Sequence, residues 1–401
     1  MTMADIETDV CVVGAGPAGL TLSLLLLRSG IEVTLIERAG SLDHPYRGEI
    51  LQPGGQVLLD RIGVLDGAQR RGACRHDGFR LTDRGRVLFE ADYRRLLPPY
   101  NCLLSLPQRH LLEELLEHCQ AEPGFTWRPR TRASERPPDG RGVVATGPDG
   151  PVRIAARCVV GADGRYSKIR KLAGITGHRF EAFDLDVLWF KVPHRSTGGH
   201  VGIFRAGGNP VLAYDTYPDA LQIGWTVPHR GYREAAALGV THVRDEIAQA
   251  LPEHAEAVRE HLADLRDLHL LDVFAGHADT WVADRLVLIG DAAHTHSPLG
   301  AQGINLAIQD AVVLHPILVD CLRRDTLGAA ALGEYERRRR PDIARVQRMQ
   351  RMQNRTMLSN ARFGAWLRPR VIGLLARTPA YDRMLAQIAY GNVREESRAY
   401  R

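Results

Sequence analysis

A glycine turn between a short apolar strand and an apolar helix limits what the start of this chain can become. Asp9-Val10-Cys11-Val12-Val13 reads as a buried strand, and Gly14-Ala15-Gly16-Pro17-Ala18-Gly19 follows it directly. Pro17 to Arg28 suits a helix and Ile31 to Ile36 a second strand, which makes a βαβ unit of a parallel sheet covered on both faces. In such a unit Gly14 permits the tight turn, Gly16 lets a pyrophosphate approach the backbone, and Gly19 lets helix pack on strand. The helix N-terminus adds positive potential for the phosphates. Glu37 ends the second strand, where an acid hydrogen-bonds adenosine ribose hydroxyls. NAD and FAD both satisfy this pattern, so it does not choose between them.

Two later segments narrow the choice. Cys158 to Arg170 runs from a buried strand into Asp163-Gly164 and then a short helix ending in arginine. Arg285 to His294 runs from a strand into Gly290-Asp291, and Pro298, Gly300, Gln302, Gly303 and Asn305 follow, opening a helix. An acid just past a sheet strand can accept hydrogen bonds from sugar or ribityl hydroxyls. Backbone amides opening the Gly303 helix can face a polar, electron-rich ring. An extended cofactor needs such contacts at several separated points, whereas an NAD dehydrogenase needs only the first.

Elsewhere a helix is expected from about Gly54 to Leu65, strand-like segments at Phe79–Leu81 and Val87–Phe89, and a helix opened by Pro107. Gly124 to Val152, rich in Gly, Pro and Arg, reads as twisted surface hairpins, and Val152 to Val160 returns to the sheet. Leu185 to Thr226 alternates in strand fashion, is rich in aromatics and is broken by glycine turns, which predicts an antiparallel sheet. Helical patterns run to about His261 and again from Ile304. The expected class is α/β with α+β inserts: a Rossmann-like FAD-binding domain, an antiparallel-sheet substrate domain and C-terminal helices. The boundaries expected are 1–75, 101–180 and 272–330 for the first, 76–100 and 181–271 for the second, and 331–401 for the helical region.

The three motifs, in this order, resemble those of group A (single-component) FAD-dependent monooxygenases of the p-hydroxybenzoate hydroxylase fold, over essentially the whole chain. The resemblance implies that Gly14, Gly16, Gly19 and Glu37 hold the ADP part of FAD, with Ala18 and Arg38 beside them. It implies Asp291 at the ribityl chain and Pro298, Gly300, Gln302 and Gly303 along the isoalloxazine, with Asn305 also binding the cofactor; Pro298, Gly300 and Gln302 are the flavin-adjacent candidates for catalysis. Arg47 and Arg109 match arginines that contact FAD in the family, and Asp163-Gly164 a segment used for both FAD and NAD(P)H. The implied reaction uses NADPH or NADH and O₂, and passes through a flavin C4a-hydroperoxide to hydroxylate or epoxidise an apolar aromatic or olefinic molecule, as in secondary metabolism. Arg47 to Gly55 is similar to squalene epoxidases, and the length and Gly-Asp region to bacterial quinolone monooxygenases. Both families take bulky apolar substrates. Trp189, Tyr214 and Trp225 are the expected pocket wall.

Other readings compete with this one. A prenyl reductase of the same fold would saturate double bonds without O₂. A halogenase needs a lysine and a Trp-x-Trp-x-Ile-Pro signature, and Ile223 to Pro228 lacks the first Trp. A flavin-binding accessory or sensor protein is the non-enzymatic alternative. A net charge of +5 with interleaved acids and arginines gives no stripe for nucleic acid. The Arg337 to Arg340 run reads as a solvated helix face. His294-Thr-His296 lacks a third ligand nearby, so no metal is expected, and His110 and His118 are expected on an exposed helix face. The longest apolar stretch, Leu20 to Leu27, is too short to span a bilayer, and Ala365 to Leu375 reads as a basic amphipathic helix packed on the domain. Six cysteines without metal spacing and an acidic start suggest a reduced, cytoplasmic protein without a membrane anchor; oligomeric state is left open.

Overall fold

The computed structural model describes residues 4–43, 49–180, 185–196, 198–206, 209–229, 231–271, 274–298, 300–353, 378–391 and 393. The opening strand, Ala4–Val13, lies at the centre of an eight-stranded sheet. It pairs in parallel with Val33–Ile36 on one side and Gly150–Gly161 on the other, in registers Val10↔Val33 and Val10↔Cys158. Phe125–Arg128 and Leu286–Leu288 extend the parallel order outward. The helix Pro17–Arg28 is buried from Ala18 to Leu27 because Gly303–Arg323 and Gln108–Ala121 cover the faces that the sheet does not. That is why its leucines run continuously and show no polar stripe. Each fully buried leucine there, such as Leu20 or Leu24, contributes about 1.5–3 kcal/mol.

Gly303–Arg323 is the one described helix long and apolar enough to cross a membrane, yet 67% of its most apolar stretch is buried in the protein. It packs on Pro17–Arg28, Pro53–Arg61 and Ala329–Gln353, so its apolarity is that of a core helix.

A second sheet has seven strands in the order His269–Leu271, Leu185–Pro193, Ala220–Pro228, Val211–Thr216, His200–Arg205, Gly78–Asp83 and Arg86–Asp92. Its pairings are antiparallel except one: His200–Arg205 runs parallel to Gly78–Asp83. The chain lays down the 78–92 hairpin, leaves to build the first sheet, and returns beside that hairpin in the same direction. Period-two alternation divides this sheet into two faces. Val187, Trp189, Val201 and Tyr214 share one face with Tyr93, Tyr381 and Leu385. Leu188, Phe190, Ile223 and Trp225 occupy the other, under the helices Gly239–Ala250 and Ala255–His261.

Several local expectations change. The helix expected from Gly54 to Leu65 is two, Pro53–Arg61 and Leu65–Arg70, because Gly63 adopts φ +70° between them. The 124–152 region is not all surface hairpin: Phe125–Arg128 joins the main sheet, and Val143–Gly147 turns directly into Gly150–Gly161. His110 is buried, its Nδ1 3.0 Å from the Gly72 carbonyl oxygen, and His118 is half-buried. The arginine run is not wholly solvated either. Arg337 and Arg338 face water, but Arg339 turns inward and is fully buried, since 3.6 residues per turn must point one of four neighbours at the core. Ala365 to Leu375 lies outside the described residues.

Candidate functional site

A single cavity of about 1600 Å³ runs from the glycine turn of the first sheet to the Trp189 face of the second. A pocket for one drug-sized ligand holds roughly 300–1,000 Å³, so this one has room for two molecules end to end. Among its lining residues are Gly14, Gly16, Ala18, Glu37, Arg38, Asp163, Asp291, Pro298, Gly300, Gln302, Gly303, Trp189 and Tyr214.

The glycines divide by what surrounds them. A Cβ on Gly14 (φ +109°) would stand 2.4 Å from the Ala162 carbonyl oxygen, and one on Gly19 would stand 2.0 Å from the Gly14 carbonyl oxygen. Both are required by the protein's own packing. A Cβ on Gly16 would meet nothing within 4 Å, so that glycine opens onto free space at the N-terminus of Pro17–Arg28, where no side chain caps the helix. A pyrophosphate fits there, on uncapped amides at the positive end of the helix. Glu37 ties the turn down: its two carboxylate oxygens accept from the Ala15 and Ala39 amides, each at 2.9 Å. One lone pair on each oxygen remains for ribose hydroxyls.

The second motif is stitched to the third. Asp163 accepts from Ser167 Oγ (2.5 Å) and the Lys168 (2.6 Å) and Ile169 (3.0 Å) amides, and so caps the helix Lys168–Leu172. Burial raises its pKa and those hydrogen bonds oppose the rise. Arg170 at the end of that helix donates to the Ala292 carbonyl at 2.8 Å, and Arg165 lies 3.6 Å from Asp291. Asp291 therefore reaches the cavity already paired with a cation.

The loop that opens the third helix is held from behind by Gln52. Its backbone N–H donates to Asn305 Oδ1 (2.9 Å), its Nε2 to the Gly300 carbonyl (2.8 Å), and Tyr93 donates to its Oε1 (2.9 Å). Asn305 donates in turn to the Ala301 carbonyl at 2.8 Å, and Ala301 sits at φ +50°. Asn305 is thus a brace behind the loop. Gln302 Nε2 donates to the Gly300 and Ile388 carbonyls. Gly303–Arg323 has no side-chain cap, so its first amides, at Gly303 and Ile304, face the cavity and suit the carbonyl edge of a flavin ring.

Behind the loop lies a buried polar chain. Asp310 accepts from the Gly290 amide (2.9 Å), from Arg339 Nε (2.8 Å) and from His294 Nε2 (2.7 Å). Burial works to raise the Asp310 pKa, but His294 and Arg339 outweigh it and hold the carboxyl well below the usual range. His294 Nδ1 lies 2.8 Å from His296 Nε2, and burial holds the His296 imidazole well below its ordinary pKa, hence neutral.

On the sheet side, Trp189 and Tyr214 meet edge to face at 6.1 Å, and Gln222 Nε2 donates to the Tyr214 hydroxyl at 2.7 Å. Glu49 adds a buried carboxylate to the wall, 3.0 Å from Lys191 Nζ and accepting from Thr216 Oγ1 at 2.8 Å. Trp225 is not part of this wall. It lies on the opposite face and donates from Nε1 to Glu246. Arg109 is also away from the cavity, half-exposed beside Asp43 and Glu113, while its neighbour Gln108 lines it. Arg47 lies outside the described residues. Among the described residues, no group of three or more His, Cys, Asp or Glu side chains is placed to hold a metal.

Residues 7–350 match the family profile described as an FAD binding domain. The chain belongs to the FAD-dependent monooxygenases of that family. The monooxygenase is 58% identical over 389 residues to the 6-methylpretetramide 4-monooxygenase of Streptomyces rimosus, covering 96% of this chain and 93% of the relative. It is 31% identical over 350 residues to the ubiquinone hydroxylase UbiL of Rhodospirillum rubrum, covering 84% and 79%. Among solved structures, p-nitrophenol 4-monooxygenase PnpA of Pseudomonas putida shares the fold with TM-score 0.79 at 20% identity, over 97% of this chain and 99% of that one. PqsL of P. aeruginosa in complex with 2-aminobenzoylacetate does so with TM-score 0.76 at 24% identity, over 92% and 99%.

The monooxygenase therefore uses FAD, with NAD(P)H as co-substrate and O₂ as oxidant, on a small molecule. The open concavity at Gly16 and the uncapped amides at Gly303 are the features of this chain that fit that cofactor. Sequence reasoning missed Gln52, Glu49, Gln222 and His296. Gln222 could have been found, because strand alternation puts it on the face opposite Trp225.

Proposed function

We propose that the monooxygenase hydroxylates a fused polycyclic aromatic polyketide of the pretetramide type, at the ring position that the name of its Streptomyces relative gives. The observation that carries this reading is 58% identity spread over 96% of the chain. A long cavity whose wall is mainly apolar suits a flat polycyclic ligand.

In this reading Gly14, Gly16, Ala18, Gly19 and Glu37 hold the ADP half of FAD, Arg38 lies beside it, and Asp291 meets the ribityl chain. Asp163 shapes the turn from beneath, and Pro298, Gly300, Gln302 and Gly303 line the ring. Bound there, FAD would supply, with NADPH or NADH as reductant, the activation of O₂ needed to place one oxygen atom on the substrate. The protein orients the aromatic ring against Trp189 and Tyr214, excludes water from the cavity and supplies polar contacts at Glu49 and Gln222. The domain division 1–75, 101–180 and 272–330 against 76–100 and 181–271, with helices from 331 to 401, is supported by the way each of the two large sheets draws its strands from one set of ranges. A reduced, cytoplasmic setting is supported by six cysteines that are all unpaired.

The test is turnover with 6-methylpretetramide under NADPH or NADH, following O₂ uptake and product mass. Substrate-stimulated O₂ uptake with a product one oxygen atom heavier is the expected result. A product two hydrogens heavier formed without O₂ uptake would instead identify a reductase.

A further inference from the structure

We propose that Glu49 determines substrate specificity by accepting a hydrogen bond from an N–H or O–H donor on the edge of the bound ring system. The inference rests on the polycyclic reading above and adds the group that such a substrate must carry. Glu49 lines the cavity with 6% of its side chain accessible. Among the described residues it is the only acid of the sheet-side wall, since Glu37, Asp163 and Asp291 belong to the nucleotide half.

Strand register explains what surrounds this carboxylate. Lys191, Gln222 and Tyr214 stand opposite one another on three adjacent strands, and Trp189 stands opposite Gly224 in the next row of the same face. Residues two apart on a strand share a face, so Trp189 and Lys191 lie roughly 7 Å apart along it. A Cβ on Gly224 would stand 2.7, 2.9 and 3.0 Å from three carbons of the six-membered ring of Trp189. The indole therefore lies across the sheet over a residue without a side chain, which makes a floor for a flat ring. The polar row and Glu49 border that floor on one side.

The carboxylate is held in place by the protein alone. Its Oε1 lies 3.0 Å from Lys191 Nζ, and its Oε2 accepts from Thr216 Oγ1 at 2.8 Å. The Glu49 carbonyl accepts from the Leu106 amide at 3.0 Å, and the following strand, Ile50–Leu51, pairs with Leu103–Ser105. Separate segments thus fix the group, so binding a ligand need not order it. A carboxylate has about four acceptor sites and two are used here, so it can take further donors but no acceptors. A buried ion pair adds little net stability over apolar residues of similar volume. Its place in the wall is better explained by what it recognises than by what it holds together.

The experiment uses FAD-loaded enzyme with anthracene-2-carboxamide and 2-acetylanthracene, which have nearly the same shape, and only the first donates N–H. Neither ionises near neutral pH, so the comparison reads donor recognition and no proton transfer. Dissociation constants are measured by quenching of the anthracene emission in wild type, Glu49→Gln and Glu49→Leu/Lys191→Met, with flavin content recorded for each. The double variant removes both charges together and leaves no orphaned ion. Wild type should bind the carboxamide roughly tenfold or more tightly than the ketone, as a hydrogen bond to a charged group permits. The ratio should shrink in Glu49→Gln, which retains a neutral acceptor, and fall to about one in the double variant. A double variant that keeps the wild-type ratio, or a wild type that binds both ligands equally, overturns the proposal and leaves the polycyclic reading standing. Loss of both ligands or of flavin from both variants also overturns it, since Glu49 would then only shape the wall. A wild type that binds neither ligand fails the polycyclic reading, and the proposal with it.

Discussion

Replacing Arg339 with methionine tests whether the buried charge chain holds the flavin-side half of the molecule together. Arg339 and Asp310 are both fully buried, and Nε lies 2.8 Å from Oδ1. Methionine keeps most of the apolar stem but leaves the Asp310 carboxylate with only Gly290 and His294. Removing one partner of a buried pair costs about 3–5 kcal/mol, because the surviving charge stays out of water. Two of three donors to Asp310 remain, which places the expected loss near about 3 kcal/mol, a large share of a total that is about 5–15 kcal/mol. The assay is urea unfolding at fixed FAD concentration, followed by tryptophan fluorescence. With m of about 1–3 kcal/mol/M, the midpoint should fall by roughly 1–3 M. Arg339→Met/Asp310→Asn removes the orphaned charge as well, so its cost should be below the sum of the singles by about 0.5–3 kcal/mol. A single variant within about 1 kcal/mol of wild type, or strict additivity, refutes the reasoning. The pH dependence has a definite sign. A depressed carboxyl stabilises the fold fully above the ordinary value near about 3.9 and loses that contribution as pH falls through the folded value. In Arg339→Met the Asp310 pKa rises, so acid unfolding should begin at a higher pH than in wild type.

Three further outcomes are expected. Gly16→Ala should fold with wild-type thermal stability yet retain less FAD, because its Cβ meets only the open concavity, whereas Gly19→Ala should fold poorly, with its Cβ 2.0 Å from the Gly14 carbonyl; flavin-to-protein absorbance and melting curves separate the two. Burial lowers the pKa of His315 to about 4, so that ring stabilises the fold above about pH 6.5 and loses its contribution as pH falls toward 4. The contribution is about 3 kcal/mol, and His315→Asn should flatten that part of the stability–pH curve. Trp225→Phe should lower stability by about 1 kcal/mol through the lost bond to Glu246 and leave KM unchanged, while Trp189→Ala should raise KM severalfold; steady-state kinetics of the pair shows which face meets the substrate.

The sequence by itself determined the nucleotide unit, because its constraints are local. A strand, a glycine turn that tolerates no Cβ at Gly14 or Gly19, and an apolar helix lie within 25 residues. The order of the Asp163 and Asp291 motifs, each just past a strand, likewise made the extended cofactor legible. Tertiary structure decided which faces those segments show. Trp189 and Trp225 look alike in sequence, but opposite parity on adjacent paired strands puts one at the cavity and the other under helices. Arg339 is indistinguishable from its three arginine neighbours until helical phase and the Asp310 carboxylate, 29 residues away, single it out. His294-Thr-His296 shows only a spacing, and only the fold supplies the acid behind one ring and the cavity beside the other. Burial and charge pairing depend on distant segments, and no local pattern carries them.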